Sequence, residues 1–140
     1  MKISREDRRE AESRIARLVH TYCYHLDARD LEAVAGLFEE AVWHVSPELT
    51  CHGKAEKLAW LRQHTPAHAA YLGPQHLVGN VLIDVADDGL TASGMSCFIV
   101  SHLTEGPAVR LAARGRYEDR FAIREGQWRF SARRVHIDGR

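Results

Sequence analysis

The sequence predicts an α+β fold in which helices cover one face of a strongly curved, mainly antiparallel sheet. Two observations carry this prediction. Apolar residues recur at helical spacing in the first part of the chain, and from residue 76 onward they alternate with a period of two. Turn sequences at 87–89, 104–107 and 125–126 then divide the second half into segments that suit antiparallel strands. A bent sheet covered by helices makes a cone that encloses an apolar pocket.

Three helices are predicted. Ser4 and Asp7 resemble an N-terminal capping arrangement, and the helix that follows runs from Arg5 to about Leu26. Asp30 can cap a short second helix. A third helix opens at Gly53 and stops before Pro66. The apolar stripe of the first helix consists of Ile15, Leu18, Val19, Tyr22, Cys23 and Leu26.

Strands are predicted wherever apolar and polar residues alternate. The early part of the chain offers one strand at 41–45 and a short return at 49–52. A loop of small residues at 66–74 precedes the remaining strands. These are predicted at 76–85, 90–102, 109–124 and 127–137.

Composition limits the kind of protein this is. A chain of 140 residues with 45% apolar content suits one domain, 1–140, with one core. Basic and acidic residues balance at 19 each, so no net charge directs the protein to nucleic acid or to an anionic membrane. The three cysteines are widely spaced and include no C-x-x-C pair, which fits a reducing compartment. With no signal sequence or membrane span, we expect a cytoplasmic protein.

Asp27 and His76 are the main candidates for chemistry. Asp27 directly follows the apolar stripe, and a buried carboxylate costs several kcal/mol unless it is paired. A neutral imidazole can take up a proton at one nitrogen while the other donates to a carboxylate. Such a pair can remove a proton next to a carbonyl group. In the alternative, Asp27 caps the second helix and His76 is an ordinary strand histidine, and the residues alone favour this alternative.

Tyr22 lies in the middle of the stripe, where a core tyrosine is also expected. On a regular helix, Tyr22 and Asp27 lie about 140° apart. Both can face one pocket only if the helix ends near Leu26 or if the pocket wraps the helix end.

The last strand contains two rival arginines. Simple alternation places Arg134 with Trp128 and Phe130 and places Arg133 on the opposite face, and a bulge would exchange them. Charged residues of the preceding strand are expected to pair across the sheet surface. They are Arg116, Glu118, Asp119 and Arg120.

Three further residues are candidates for substrate binding. Asn80 shares a strand face with His76 if the strand is regular, His102 lies near a strand end, and Trp43 lies in the first strand. No histidine or cysteine spacing predicts a metal site, and no glycine-rich phosphate loop or nucleophile elbow is present. Cys23, on the helical stripe, is expected to be buried and inert. We therefore expect no cofactor and no metal.

Several segments resemble the SnoaL-like branch of the NTF2-like superfamily. The resemblance covers almost the whole chain and implies the cone fold described above. It also implies a homodimer formed through the sheet. The segments that carry it are Tyr22–Asp30, Leu37-Phe38, Trp43, His76–Val81, Gly115–Phe121, Gly126–Phe130 and Arg133-Arg134.

Part of this branch consists of lyases such as scytalone dehydratase, bile-acid dehydratase and lindane dehydrochlorinase. The resemblance implies that Asp27 and His76 form the Asp–His pair of these enzymes. Tyr22 matches a tyrosine or lysine that assists the leaving group or a carbonyl, and Arg133 matches an arginine that faces the pocket. The implied function is a cofactor-free lyase or isomerase that acts on a small hydrophobic hydroxy or carbonyl compound.

The same family leaves alternatives open. A polyketide-cyclase-type enzyme would use the same proton abstraction. A non-catalytic domain would only bind a small molecule or a partner. An accessory subunit, like the small subunit of ring-hydroxylating dioxygenases, would share the fold.

Overall fold

Helices precede and cover a six-stranded sheet in the computed structural model, which describes residues 2–65 and 73–139. The sheet is curved, mostly antiparallel and not closed, which confirms the predicted α+β class. The predicted loop at 66–74 lies largely outside the described residues. The elements are α1 (Arg5–Asp27), α2 (Leu31–Leu37), β1 (Val42–Ser46), β2 (Leu49–Cys51), α3 (Gly53–His64), β3 (Gln75–Val85), β4 (Thr91–Leu103), β5 (Val109–Arg124) and β6 (Gln127–Ile137).

Both predicted helix caps form. The Ser4 side chain accepts a hydrogen bond from the Asp7 amide at 2.9 Å, and the Asp30 side chain accepts one from the Ala33 amide at 3.1 Å. Helix α1 ends at Asp27, one residue beyond the predicted boundary. None of the helices in the described ranges is long and apolar enough to cross a membrane.

The strand order of the sheet is β2-β1-β6-β5-β4-β3. Neighbouring strands are antiparallel except β1 and β6, which run parallel, so an early strand lies beside the last one. This pairing places Trp43 opposite Arg133. Residues from both ends of the sequence therefore meet on the face of the sheet that the helices cover.

A bulge in β6 decides which arginine is buried. Arg120 lies opposite Ala132, whereas the next residue, Phe121, lies opposite Phe130, so Ser131 is the extra residue. Beyond the bulge the alternation is shifted by one. Arg133 consequently joins Phe130 on the buried side, and Arg134 is exposed, so the face predicted for Arg134 by simple alternation is wrong.

A second irregularity lies in β3, where the register with β4 shifts between Gly79 and Leu82. Asn80 adopts a positive φ of 51° there, and its side chain is exposed. The expected sharing of one strand face by Asn80 and His76 therefore does not occur.

Aromatic rings from α2 and the sheet form the centre of the core. The Phe38 ring stacks on Trp43 with centroids 5.1 Å apart and contacts Phe130 at 4.5 Å. Phe130 in turn contacts Phe121 at 4.9 Å. These contacts fix the short helix α2 against the sheet, because Phe38 directly follows it and is fully buried.

Gly115 in β5 is a site of close backbone approach, so Gly115→Ala should destabilise the fold. An added Cβ would overlap the backbone carbonyl oxygen of His136 and lie 2.8 Å from the Phe98 ring. We expect a loss of about 1–3 kcal/mol in the free energy of unfolding, measured by urea denaturation.

Gly36→Ala is the matched control, because an added Cβ at Gly36 in α2 meets nothing within 4 Å. Alanine at a helical position should leave stability unchanged or raise it by up to about 1 kcal/mol. Equal unfolding midpoints for the two variants would contradict this account of Gly115.

Candidate active site

A cavity of about 690 Å³ lies between the helices and the inner face of the sheet. Helix α1 contributes Tyr22 and Leu26, and α3 contributes Trp60 and Leu61. Most of the lining is apolar, with a few polar groups among it, which is typical of small-molecule sites. The sheet contributes Trp43, Val45, His76, Phe98, Val100, His102, Ala113, Tyr117, Val135, His136 and Ile137.

Asp27 and His76 meet at one wall of this cavity. Asp27 Oδ1 lies 2.6 Å from His76 Nδ1, and Asp27 Oδ2 accepts a hydrogen bond from the His76 backbone amide at 2.8 Å. The first contact joins the end of α1 to the start of β3. The second holds the carboxylate in position beside the His76 ring. The two side chains are 22% and 13% exposed, so both are largely shielded from water.

This contact determines how His76 can carry a proton. A carboxylate only accepts hydrogen bonds, so the neutral imidazole carries its proton on Nδ1. Its Nε2 is then the basic nitrogen. His76 lines the cavity and Asp27 does not, so the carboxylate stands behind the imidazole. The arrangement can accept a proton at Nε2 and stabilise the imidazolium that results.

Tyr22 lies on the other side of the helix end from Asp27, and both approach His76. The Tyr22 ring lies edge-on to the His76 ring with centroids 6.3 Å apart. The separation of about 140° therefore does not keep the two residues apart: Tyr22 lines the cavity, while Asp27 stands outside it and contacts His76 from behind. Burial raises the pKa of Tyr22, although the nearby Arg133 charge opposes this, so the phenol is protonated at neutral pH.

Arg133 lies beneath the cavity and is fully buried. Its Nε and Nη2 donate to the two carboxylate oxygens of Asp119 at 2.7 and 2.9 Å. Burial alone would lower the pKa of Arg133, but the Asp119 charge and hydrogen bonds raise it, so the guanidinium stays charged. Arg133 does not line the cavity, which differs from the pocket-facing position that the resemblance implied.

Asp119 is not on the sheet surface, where it was expected. Along β5, Tyr117, Asp119 and Phe121 are buried, while Glu118 and Arg120 between them, and Arg116 before them, are exposed. Alternation alone places Asp119 on the inner face. The surface prediction was wrong for Asp119 because Arg133 reaches that face through the bulge and compensates its charge.

The predicted substrate-binding residues separate into two groups. Trp43 and His102 line the cavity, and the indole Nε1 of Trp43 is buried without a hydrogen-bond partner among the described residues. Asn80 lies outside the cavity, so we leave it out of the proposed site. Tyr117 is a lining residue that the sequence analysis missed. The strand period of β5 could have identified it, since Tyr117 alternates with charged residues.

Other chemistries find less support in the part of the chain that the structure describes. No group of three or more histidine, cysteine or acidic side chains is placed to hold a metal ion there. Burial raises the pKa of the Cys23 thiol to about 11, which makes it a poor nucleophile at neutral pH.

A groove of about 850 Å³ beside the start of α1 is lined by residues such as Asp7, Glu10 and Arg14. It contains no histidine, so it offers no comparable acid/base pair.

The curved sheet, the covering helices and the cavity between them define an NTF2-like fold, with a histidine in the cavity wall and a carboxylate behind it. Residues 7–134 match the family model of the SnoaL-like domain, and the chain belongs to that family. The resemblance stated from the sequence is thereby confirmed.

Comparisons with known proteins place this chain among diverse relatives. A curated relative, the methanesulfonate monooxygenase hydroxylase subunit beta of Methylosulfonomonas methylovora, is 34% identical over 110 residues. That match covers 68% of this chain, and the chain spans only about 60% of the relative's length.

Two solved structures have closely similar folds. A protein of unknown function from Mycobacterium tuberculosis is 27% identical with a TM-score of 0.79, and the match covers 96% of this chain and 76% of that one. A scytalone dehydratase-like protein from Novosphingobium aromaticivorans is 23% identical with a TM-score of 0.78, and the match covers 96% and 88%. At this identity the second likeness concerns the fold alone.

The buried Arg133–Asp119 pair beneath the cavity leads to a prediction about stability. Asp119→Asn keeps the shape of the side chain but leaves the Arg133 guanidinium buried without a counter-charge. We expect a loss of about 3–5 kcal/mol in the free energy of unfolding, measured by urea denaturation. Glu10→Gln is the control, because the exposed Glu10–Arg14 ion pair should contribute less than about 1 kcal/mol. A similar effect for both variants would show that the buried pair has no special weight.

Proposed function

We propose that this protein is a cofactor-free lyase or isomerase of the dehydratase type. It acts on a small hydrophobic hydroxy or carbonyl compound by general acid/base catalysis. The observation that carries the proposal is the 2.6 Å contact between Asp27 and His76, with His76 in the wall of an apolar cavity. Membership of the SnoaL-like family supports it, because the resemblance implied an Asp–His pair and the Asp27 and His76 side chains are in hydrogen-bond contact.

In the proposed reaction, His76 Nε2 removes a proton from a carbon next to the substrate carbonyl. Asp27 stabilises the imidazolium and keeps the ring oriented through Nδ1. Tyr22 donates a hydrogen bond to the carbonyl oxygen, where negative charge develops. The imidazolium then returns the proton. Delivery to a departing hydroxyl group makes the reaction a dehydration, and delivery to another carbon makes it an isomerisation.

The cavity supports a small, flat and largely apolar substrate. Its volume of about 690 Å³ lies within the range of small-molecule sites, roughly 300–1,000 Å³. Trp43 and Phe98 present aromatic rings to it, and Trp60 meets Trp43 edge-on with centroids 5.4 Å apart. Flat apolar molecules bury the most surface against such walls. His102, which lines the cavity, supplies a polar contact for a hydroxyl group of the substrate.

Proton abstraction can be tested without knowing the natural product of the reaction. The protein would be incubated in D₂O with a panel of bicyclic ketones and β-hydroxyketones, 2-tetralone among them. NMR would follow hydrogen–deuterium exchange next to the carbonyl. We expect exchange above the buffer rate, and we expect His76→Ala to slow it by roughly two to four orders of magnitude. Asp27→Asn should also slow it, because it removes the charge that stabilises the imidazolium.

His20→Ala serves as the control, since His20 is an exposed histidine of α1 outside the cavity. Its exchange rate should equal that of the wild-type protein. Near-wild-type exchange in the His76→Ala variant would overturn the proposed mechanism, and so would the absence of exchange with every ketone in the wild-type protein.

A second candidate function is that of an accessory subunit of an oxygenase. The 34% identity to a monooxygenase hydroxylase subunit beta over 68% of this chain favours it. In that role the domain would support a larger catalytic subunit, and the cavity would be incidental. Exchange catalysed by the purified protein alone, and lost in His76→Ala, would favour the enzyme over the accessory role.

We also propose that the protein forms a homodimer through the outer face of its sheet. Strands β3 and β4 expose a group of apolar side chains on that face, and contiguous exposed apolar surface of this kind marks interaction sites. The exposed apolar residues are Leu77, Leu82, Met95 and Ile99.

The three free cysteines fit the expectation of a cytoplasmic protein.

The dimer proposal predicts the effect of a charge on this face. Met95 is 54% exposed, and Met95→Glu should shift the protein from dimer to monomer in sedimentation velocity experiments. Leu90→Glu is the control, because Leu90 is similarly exposed at 57% but precedes β4 in a turn. A monomeric wild-type protein, or equal dissociation by both substitutions, would exclude this interface.

A further inference from the structure

His64 is a second histidine of the cavity lining, and the proposed mechanism does not use it. It lies in the last turn of α3, where its side chain is exposed to solvent and also lines the cavity. A residue that does both lies at the rim, where the cavity opens. His76 is carried by β3 and lies in the wall, so the two imidazoles enter the site from different elements.

Two contacts fix the orientation of the His64 ring. Its Nδ1 lies 2.9 Å from the backbone carbonyl oxygen of Trp60, one helical turn earlier. The ring also stacks on the Trp60 indole, with centroids 4.5 Å apart and an angle of 17° between the planes. Trp60 in turn meets Trp43 edge-on at 5.4 Å, and both tryptophans line the cavity. The imidazole is therefore held in one orientation against the aromatic wall of the cavity.

The contact with the Trp60 carbonyl determines which nitrogen of His64 can meet a ligand. A carbonyl oxygen only accepts hydrogen bonds, so Nδ1 carries a proton and donates it. In the neutral imidazole, Nε2 is then unprotonated and acts as an acceptor. Such an acceptor selects a ligand group that can donate a hydrogen bond, such as a hydroxyl group. A carbonyl or ether oxygen gains nothing from it, because neither can donate.

We propose that His64 is a specificity-determining residue that binds a hydroxyl group at the outer end of the ligand. The flat apolar part of the ligand then lies against Trp43 and Trp60, and its hydroxyl group lies at the rim. For the proposed reaction, the substrate becomes a ketone with a hydroxyl group remote from the carbon that loses a proton to His76. That substrate class rests on the proposed function, whereas the hydroxyl contact at His64 does not.

Glu48 is the competing hydrogen-bond acceptor at the rim. Its side chain is exposed and lines the cavity from the turn between β1 and β2. Its carboxylate accepts a hydrogen bond from Ser46 Oγ at 3.3 Å, so the side chain is already engaged within its own turn. A flexible glutamate must be ordered again to meet a ligand, whereas the His64 ring is oriented in advance. His64 is therefore the acceptor that we assign to the ligand.

Two ketones of similar shape isolate the hydroxyl contact. 6-Hydroxy-2-tetralone carries an O–H group that 6-methoxy-2-tetralone lacks, and both have the same carbonyl group. Isothermal titration calorimetry would measure their affinities for the wild-type protein and for His64→Phe. We expect the wild type to bind the hydroxy ketone roughly three- to tenfold more tightly, the value of one neutral hydrogen bond. In His64→Phe this ratio should fall to about one, because the phenyl ring can still stack on Trp60 but has no acceptor.

Three controls show that the effect belongs to the hydroxyl contact. Unsubstituted 2-tetralone should bind equally to the wild type and to His64→Phe, which would show that the cavity is intact. His20→Phe changes an exposed histidine of α1 outside the cavity, and Glu48→Ala removes the competing acceptor. Both variants should keep the wild-type ratio. The ratio compares two ligands within one variant, so a purely structural effect of the substitution cancels.

The outcomes separate this inference from the proposed function. A ratio near one in the wild type, or a wild-type ratio in His64→Phe, would overturn the role of His64 even if ketone protons exchange. Loss of the ratio in Glu48→Ala, or failure of the wild type to bind either ketone, would overturn it as well. Selective binding that depends on His64, in a protein that exchanges no ketone protons, would support the hydroxyl contact and reject the lyase or isomerase.

Discussion

The buried Arg133–Asp119 pair is the interaction on which the rest of the structure depends. A guanidinium with no exposed surface is tolerable only if a carboxylate meets it with good geometry, and Asp119 does so through two hydrogen bonds. The pair requires the bulge at Ser131, because a regular β6 would point Arg133 to the other face. The bulge in β6, the Arg133–Asp119 ion pair and the floor of the cavity therefore depend on one another.

The site combines two pairs of polar side chains, Arg133–Asp119 and Asp27–His76, which have different surroundings. The Arg133–Asp119 pair lies in the core without contact with the cavity, so its charges can act only through the rings of Tyr22 and Tyr117. In the second pair, His76 lies in the cavity wall with Asp27 behind it, and both side chains are partly exposed. The proposed proton abstraction would use the second pair, because His76 is the one member of the two pairs that lines the cavity.

Much of the fold could be predicted from the sequence because its local signals agree with the tertiary structure. The caps at Ser4 and Asp30 mark the starts of α1 and α2, and the change of period at residue 76 marks the start of β3. The Asp27–His76 contact spans 49 residues, and only the family resemblance indicated it. No local sequence pattern predicts which strand the end of a helix will contact.

The wrong face assignments of Arg134 and Asn80 have one physical cause. Arg134 and Asn80 were assigned to faces by strict alternation, and a single extra residue in β6 or β3 reverses every assignment that follows it. Bulges carry little sequence signal, since most residue types can occupy them. Tyr117 was missed for a different reason, because it lies in a run of charged residues that suggested a solvated strand.

The cavity itself bears on the choice between an enzyme and a structural subunit. A domain that served only as a scaffold would gain stability by filling an apolar volume of about 690 Å³ with larger side chains. It would gain nothing from Trp43 Nε1 buried without a partner among the described residues. The chain instead keeps the space open and sets His76, Tyr22 and Tyr117 around it. Features that reduce stability without serving the packing are expected at sites that bind or transform a ligand, which favours a ligand site over a role as a scaffold alone.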